Sequence, residues 1–310
     1  MLFHICFKNT TDFLSMNNST LNKTTIEPDS AIVKYLKKHL NIKINGFNSI
    51  NSIQQQKYLK HFNSQNLSIL KKYFGFCFIN KINGNFLGTF FFNPEEIIIP
   101  EVNSISTDLR FSKDSFIIPK NINLISKIIL KKKFDQDGVF RVNSTIQRLK
   151  TANSLLQDIV EERVNIDTGL ELFDKNFDLI DSCELYKNLL RSFNTTVISN
   201  KYINMIMAID QISDENTKLI CTKAMYYSLP HNNRCILESN VYLCYEICLR
   251  INKMPENDKQ MDLDGIAIVM TPNLILKKDE DIKIEKVLVL VNFCKYFYKN
   301  FPQICKLDDN

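Results

Sequence analysis

One arginine in this chain lies in a segment whose residue pattern predicts an exposed loop. Arg141 lies in Gly138-Val139-Phe140-Arg141-Val142, just after the best turn glycine of the sequence and between two apolar residues. Ser144 and Gln147, three residues apart, are typical of a capped helix start. We therefore predict that Arg141 lies on a short exposed loop, ahead of a helix that begins at Ser144.

An exposed loop arginine has two common roles. The ordinary one is a surface ion pair, which contributes little to stability. The other is to carry a fixed positive charge to another molecule, because the guanidinium stays protonated and reaches two oxygens of a phosphate at once. The immediate surroundings of Arg141 leave both roles open.

A second group of charged residues lies on a helix predicted over residues 178–193. Lys187 and Arg191 are four residues apart, so their side chains project together, opposite the apolar face of that helix. Two like charges at this spacing destabilise a helix by roughly a few tenths of a kcal/mol, and Glu184 can offset part of this through Lys187. The face is either a mixed charged surface or a cationic binding surface.

The apolar spacing predicts that long helices position these residues. Pro119 opens the first helix, and three lysines at 131–133 close it, either as a solvated helix end or as a group that attracts an acidic partner. A later helix is apolar on nearly every side, which is typical of the middle of a bundle. The predicted helices after the first span residues 144–159, 178–193, 236–251 and 282–299.

The region before residue 93 contains no motif that indicates a particular chemistry. A short helix is predicted from Asp29-Ser30 to Leu40, and residues 52–74 carry apolar side chains at helical spacing. Phe74–Ile79 and Phe86–Phe92 flank Asn83-Gly84, which is a β-hairpin signal. We interpret this part as a small α/β region that docks onto or supports the main domain. The alternative, an independent module that binds lipid or a partner, is supported by no residue pattern.

Two domains are therefore predicted. Residues 1–92 form an N-terminal region of unknown role, and residues 93–310 form a mainly α-helical domain. The chain of 310 residues is 45% hydrophobic, enough for a sizeable core, and its 7 Gly and 8 Pro favour long helices over a loop-rich β fold. A net charge of +5 is too mild to indicate nucleic acid as a partner.

Cysteine usage and hydropathy indicate the environment of the protein. The nine cysteines include no Cys-x-x-Cys pair, and Cys244 and Cys248 lie in an apolar run, so we interpret them as buried hydrophobes and expect no metal site. No signal sequence and no apolar run of about eighteen residues are found. We expect a cytoplasmic protein with reduced thiols and no transmembrane segment; peripheral recruitment to a membrane stays open.

Four segments, in the right order, resemble the RhoGAP domain family. The Arg141 segment is similar to the arginine-finger loop of that family, Gly-(Ile/Leu/Val)-(Phe/Tyr)-Arg-Val. Lys187-Asn188-Leu189-Leu190-Arg191 keeps the family's Lys-x-x-x-Arg helix. Residues 228–237 resemble the Leu-Pro-x-x-Asn-x-x-x-Leu helix start, and residues 261–274 resemble a segment that ends in Pro-Asn-Leu. The resemblance covers about residues 93–303.

This resemblance implies a RhoGAP-like helical bundle and a function in small-GTPase signalling. The chain would be a GTPase-activating protein for a Rho-family GTPase in its GTP-bound state, with Arg141 supplied in trans as the finger. Lys187 and Arg191 would support the finger loop and face the GTPase, and Asn273 would belong to the binding surface. GTP, Mg²⁺ and the water-positioning glutamine would come with the GTPase, so we expect no cofactor in this chain.

Two departures from the family pattern favour an alternative. Phe193-Asn194-Thr195-Thr196 stands where Leu-Pro-x-Pro is usual, and Gly265 replaces an asparagine that contacts the GTPase in active relatives. The alternative is a RhoGAP-fold binding module with little or no catalysis, acting as a scaffold or effector. A third interpretation, an unrelated all-helical adaptor, requires the four segments to match by chance.

Overall fold

The structure is a computed structural model that describes residues 31–82, 95–136, 138–252, 261–277 and 282–308. These residues form mainly α-helices, with one small sheet. The helices are α1 (Ala31–Asn41), α2 (Ser52–Gln65), α3 (Leu67–Ile82), α4 (Lys120–Lys131), α5 (Ile146–Val160), α6 (Ile166–Asn176), α7 (Leu179–Arg191), α8 (Ile203–Asp210), α9 (Glu215–Ser228), α10 (His231–Ile251), α11 (Leu263–Ile275) and α12 (Ile284–Ile304).

The sheet leads directly into the first long helix of the main domain. Strands β1 (Ser104–Thr107) and β2 (Phe116–Pro119) pair antiparallel, with Ser104 opposite Pro119 and Thr107 opposite Phe116. Pro119 is the last residue of β2 and the N-cap of α4. The predicted start of this helix at Pro119 is therefore confirmed to within one residue.

Helix α10 occupies the centre of the bundle. Nearly all of its residues from Asn233 onward are buried, and it packs against α1, β2, α4 and α11. This confirms the prediction of a central helix from its all-round apolar sequence. His231, its first residue, is exposed at the helix start.

Seven cysteines of the second half of the chain are buried free thiols: Cys183, Cys221, Cys235, Cys244, Cys248, Cys294 and Cys305. Burial raises the pKa of Cys183 to about 12, which keeps its thiol protonated and unreactive at neutral pH. The described residues contain no helix that is both long enough and apolar enough to span a bilayer.

The prediction of a β-hairpin near residue 80 is wrong for its first strand, residues 74–79. Helix α3 covers residues 74–79, with a bend at Gly75, where φ is +78°. The second strand, 86–92, and the Asn83-Gly84 turn lie outside the described residues. A short run of Phe and Ile suits a strand and a buried helix equally well, and α3 packs against α8 and α9.

The segment between α1 and α2, residues 42–51, is hydrogen-bonded through its backbone to the rest of the molecule, and we call it the connecting segment. Ile44 N donates to Phe111 O at 2.8 Å, Phe47 N donates to Cys305 O at 2.9 Å, and Leu307 N donates to Asn45 O at 3.0 Å. This segment therefore lies between the loop after β1 and the end of α12.

Buried polar side chains reinforce this junction. Glu238 of α10 is fully buried and accepts hydrogen bonds from Ser112 N at 2.7 Å and Asn48 Nδ2 at 2.9 Å. Arg234, one turn earlier, donates to Gln55 Oε1 at 2.8 Å. We call Asn48, Gln55, Ser112, Arg234 and Glu238 the junction network.

The arginine loop and its supporting helix

The loop that carries Arg141 is a tight turn that requires glycine at its first position. Gly138 O accepts hydrogen bonds from Arg141 N at 2.8 Å and Val142 N at 2.9 Å. The φ of Gly138 is +83°, and a Cβ there would lie 2.4 Å from Val142 Cγ2, so both backbone and space exclude a side chain. The turn leaves the Arg141 side chain exposed, as predicted.

Phe140 anchors the turn from the inside. Its φ is +62°, a left-handed conformation that costs a non-glycine residue about 1–2 kcal/mol. The phenyl ring is fully buried, and its centroid lies 6.2 Å from that of Tyr186. The unusual backbone conformation therefore lets one residue point inward and the next, Arg141, point outward.

Lys187 supports the same turn from helix α7. Its Nζ donates to Phe140 O at 2.6 Å and to Asn143 Oδ1 at 3.4 Å, and it forms an ion pair with Glu184 at 2.7 Å. The Lys187 side chain is only 1% exposed. The expectation that Lys187 projects from a free face with Arg191 is therefore wrong: the arginine loop covers this part of α7.

Arg191, one turn further along α7, keeps its guanidinium near the surface. Its Nη2 donates to Asn188 Oδ1 at 2.9 Å and lies 3.3 Å from Glu184 Oε1, while 17% of its side chain is exposed. Glu184 also accepts from Asn188 Nδ2 at 2.8 Å. The Glu184 carboxylate thus forms ion pairs with both Lys187 and Arg191.

Asp181 ties the far end of the loop to the start of α7. Ser144 Oγ and the Arg148 guanidinium both donate to its carboxylate, and Arg148 Nε does so at 3.1 Å. Burial by itself raises the pKa of Asp181, but the hydrogen bonds from Arg148 and Ser144 outweigh burial, and its pKa is lowered. The carboxylate is therefore ionised, as a partner for Arg148 must be.

This use of Ser144 corrects the predicted helix cap. Helix α5 begins at Ile146, and Thr145 caps it by accepting from Arg148 N at 3.3 Å. Ser144 precedes the cap position, and its hydroxyl donates to the Asp181 carboxylate, a charge-assisted hydrogen bond. We refer to Ser144, Arg148, Asp181, Glu184 and Lys187 as the loop network.

Asn273 does not present its side chain at the surface. It is 2% exposed, and its Nδ2 donates to Val269 O at 2.8 Å within α11. The expectation of a direct GTPase contact from this residue has no exposed group to support it here. Gly265, in the first turn of the same helix, donates its N–H to Asp262 Oδ1 at 2.7 Å and has no positive φ.

Asp181 and Asn143 belong to this site although they were not predicted, and Glu184 was predicted only to offset part of the charge through Lys187. The signal for Asp181 was available: Asp178 and Asp181 are three residues apart and form a reciprocal capping box at the start of α7. The described residues hold no cluster of three or more His, Cys, Asp or Glu side chains able to bind a metal ion.

Comparison with known proteins places the chain in a family. The sequence profile of the RhoGAP domain matches residues 119–279, which is just over half of the chain. The protein therefore belongs to the RhoGAP domain family, and the family predicted from the four segments is confirmed. Its matched region includes the arginine loop, α7 and α11.

The curated relatives are distant and much longer. The chain is 22% identical over 214 residues to Rho-type GTPase-activating protein 1 of Schizosaccharomyces pombe, covering 69% of this chain and 18% of that protein. It is 26% identical over 202 residues to the human T-cell activation Rho GTPase-activating protein, covering 61% of this chain and 26% of that protein. The chain thus spans about a quarter or less of these relatives.

Two solved structures resemble part of this chain. One is the BH domain from Graf, the GTPase regulator associated with focal adhesion kinase, with a TM-score of 0.44 and 14% identity over 59% of this chain and 93% of that one. Another is human Rho GTPase activating protein 15, with a TM-score of 0.48 and 18% identity over 60% of this chain and 83% of that one.

Proposed function

We propose that this protein accelerates GTP hydrolysis by a Rho-family small GTPase, and that Arg141 is the residue it inserts into the GTPase active site. The observation that carries this proposal is the exposed Arg141 at the tip of a turn whose neighbouring residue, Phe140, is fully buried. Membership of the RhoGAP family supports the choice of partner.

The mechanism follows from the charge that develops during phosphoryl transfer. As the bond to the γ-phosphate breaks, negative charge accumulates on oxygens that the GTPase alone neutralises poorly. An arginine supplied by a partner stabilises that charge and is worth about 10³–10⁵ in rate. The GTPase supplies the nucleotide, Mg²⁺ and the water-positioning side chain, and it binds in its GTP-loaded state.

The other predicted site residues take different parts in this proposal. Lys187 acts from inside, because its ammonium holds the Phe140 carbonyl and so fixes the direction in which Arg141 points. The Arg191 side chain is 17% exposed and meets an acidic group of the GTPase. Asn273 packs within α11 and supports the surface from below.

A second candidate function is a binding module that engages the GTPase without accelerating hydrolysis. Two observations favour it: Gly265 offers no side-chain amide on α11, and the side chain of Asn273 is buried in the same helix. A module of this kind would bind GTP-loaded GTPase and leave the bound GTP intact.

Single-turnover GTP hydrolysis on a panel of Rho-family GTPases distinguishes these functions. We expect wild type to accelerate at least one GTPase, and Arg141→Ala to lose about 10³-fold or more of that acceleration. Arg163→Ala is the matched control, since Arg163 is another exposed loop arginine, paired with Asp158 at 2.8 Å.

Three results would count against the proposed GTPase-activating function or against Arg141 as its finger. No acceleration of any GTPase rejects catalysis, and tight binding of GTP-loaded GTPase in the same samples then supports the binding module. Equal acceleration by wild type and Arg141→Ala rejects Arg141 as the finger. A similar loss in Arg163→Ala shows that the effect is general surface charge.

A further inference from the structure

The N-terminal helices have a charge composition unlike that of the rest of the chain. Residues 31–82 contain nine lysines and no aspartate, glutamate or arginine. The whole chain has 39 basic and 34 acidic residues, so 30 basic and 34 acidic residues remain elsewhere. The positive net charge of the protein therefore resides in this region, although the other parts of the chain are slightly acidic.

Helix α1 places its lysines on one exposed face. Val33, Leu36 and Leu40 are buried on the opposite side. Lys34, Lys37 and Lys38 are exposed and follow the i, i+3, i+4 spacing of a single helix face. Ile42 continues the same face just after the helix end, and 51% of it is exposed to solvent.

Helix α2 repeats this arrangement. Ile53 is 65% exposed in the first turn, and Lys57 and Lys60 follow at the i+4 and i+7 positions, both exposed. We call the exposed residues Lys34, Lys37, Lys38, Ile42, Ile53, Lys57 and Lys60 the lysine face. Lys43 is excluded, because its Nζ already donates to Arg110 O at 2.6 Å.

Both helices are hydrogen-bonded to the C-terminal part of the chain, at Lys299 and Asp308. Tyr35 of α1 donates its hydroxyl to Lys299 O at 2.5 Å, and the Tyr58 hydroxyl of α2 accepts from Asp308 N at 2.9 Å. The connecting segment between α1 and α2 is hydrogen-bonded to the same part of the chain, at Cys305 and Leu307. The helices that carry the lysine face are thus both anchored to residues 299–308.

The lysine face is distinct from the arginine loop. Helix α1 packs against α10, and α2 and α3 pack against α9. Helix α7, which supports the arginine loop, packs instead against α4, α5 and α11. The helices that carry the lysine face and the helix that supports the arginine loop therefore pack against different parts of the bundle.

We propose that the lysine face binds the surface of a membrane rich in anionic phospholipids. Lysines near such a surface strengthen binding by about fivefold each, through attraction that needs no fixed geometry. Exposed aliphatic side chains among the lysines suit insertion at the headgroup boundary. The absence of arginine in residues 31–82 disfavours nucleic acid, because bidentate phosphate and base recognition relies on arginine.

Vesicle co-sedimentation of the full chain tests this proposal. We expect wild type to bind phosphatidylcholine vesicles that contain about 30% phosphatidylserine at about 0.1 M salt, and to be released at about 0.5 M salt. Vesicles of phosphatidylcholine alone should bind at least about tenfold less. Absence of binding to the anionic vesicles at low salt overturns the proposal.

Matched variants separate the lysine face from overall charge. Lys34→Gln, Lys37→Gln and Lys38→Gln combined should weaken binding at least about tenfold. Lys133→Gln, Lys175→Gln and Lys286→Gln combined remove the same charge from exposed positions elsewhere and should retain most of the binding. An equal loss in both triple variants overturns the assignment to this face.

A second pair of variants tests the apolar part at constant charge. Ile53→Ser should weaken vesicle binding severalfold, whereas Ile166→Ser, at a 54% exposed isoleucine that starts α6, should not. Equal effects of the two variants would remove insertion from the proposal. Tight binding of a single-stranded RNA or duplex DNA, with no vesicle binding, would assign the face to nucleic acid instead.

Discussion

The loop network and the junction network are both built from buried charged groups, yet they differ in the side chain that they present to solvent. In the junction network, Arg234 and Glu238 are enclosed, and every group they contact belongs to the interior or to the connecting segment. In the loop network, Lys187 and Asp181 are equally buried, but the turn they hold carries Arg141 into solvent.

The comparison shows that buried polar groups can either attach one segment to the bundle or fix the conformation of a loop. Charges removed from water are costly unless all their hydrogen bonds are satisfied, so both networks specify one arrangement of the chain. The junction network uses that specificity to attach residues 44–55 to the bundle. The loop network uses it to hold Phe140 in a left-handed conformation and to present the next residue outward.

The largest effect on stability is expected from breaking the junction network. Glu238→Ala leaves the backbone N–H of Ser112, the Asn48 amide and other buried donors without an acceptor. We expect the free energy of unfolding to fall by about 3–5 kcal/mol, as for other broken buried charge clusters. Urea unfolding followed by circular dichroism measures this, with the exposed Glu171→Ala as control; a loss below about 1 kcal/mol would contradict it.

A smaller effect on stability, but a specific effect on activity, is expected in the loop network. Lys187→Met keeps the length of the side chain and removes the donor to Phe140 O. We expect about 2 kcal/mol lower stability, because Glu184 keeps its contacts with Asn188 and Arg191.

The same variant should slow GTPase activation by about tenfold to a hundredfold under conditions where it is fully folded. Single-turnover hydrolysis at saturating protein measures this rate apart from binding. If Lys187→Met and Glu238→Ala reduce the rate equally in folded samples, the two networks do not differ as we infer.

The smallest expected effect is a difference between the two networks in how their contribution to stability depends on pH. Burial raises the pKa of Glu238, whereas the pKa of Asp181 is lowered from its ordinary value of 3.8. A raised carboxyl pKa makes the folded state bind more protons, so the Glu238 contribution to stability decreases as pH rises above the ordinary glutamate value. The lowered pKa of Asp181 makes its contribution present above about pH 4 and lost at lower pH.

Urea unfolding of Asp181→Asn and Glu238→Gln across this range measures both contributions. The stability difference between wild type and Asp181→Asn should shrink as pH falls below about 4. The difference between wild type and Glu238→Gln should shift in favour of the variant as pH rises from about 4 to 7. The same pH dependence in both variants would show that the two carboxylates are in equivalent environments.

Much of the local structure could be predicted from residue patterns. Pro119 at the start of α4, Asp178 at the start of α7 and the all-round apolar sequence of α10 are signals read within a few residues, and the structure agrees with each. The exposure of Arg141 was also predictable, because Gly138 permits a turn that few other residues allow. Its role as a catalytic finger stays a proposal.

Other features depended on what packs against each element. The i, i+4 spacing of Lys187 and Arg191 correctly places them on one side of a helix, but only the position of the arginine loop makes Lys187 buried and leaves Arg191 partly exposed. The predicted hairpin failed for a similar reason, since the apolar run at 74–79 has no periodicity that separates a strand from a helix.

Four motif segments were enough to predict the RhoGAP family, and short-range patterns of glycine, proline and apolar spacing were enough to predict the mainly helical fold and the outward arginine. Which charged groups are buried together depends instead on how distant segments pack. Phe140 and Lys187, or Ser112 and Glu238, are separated by 47 and 126 residues, and no local pattern specifies a contact across such distances. A buried charge needs partners that are close in space, whichever part of the chain supplies them.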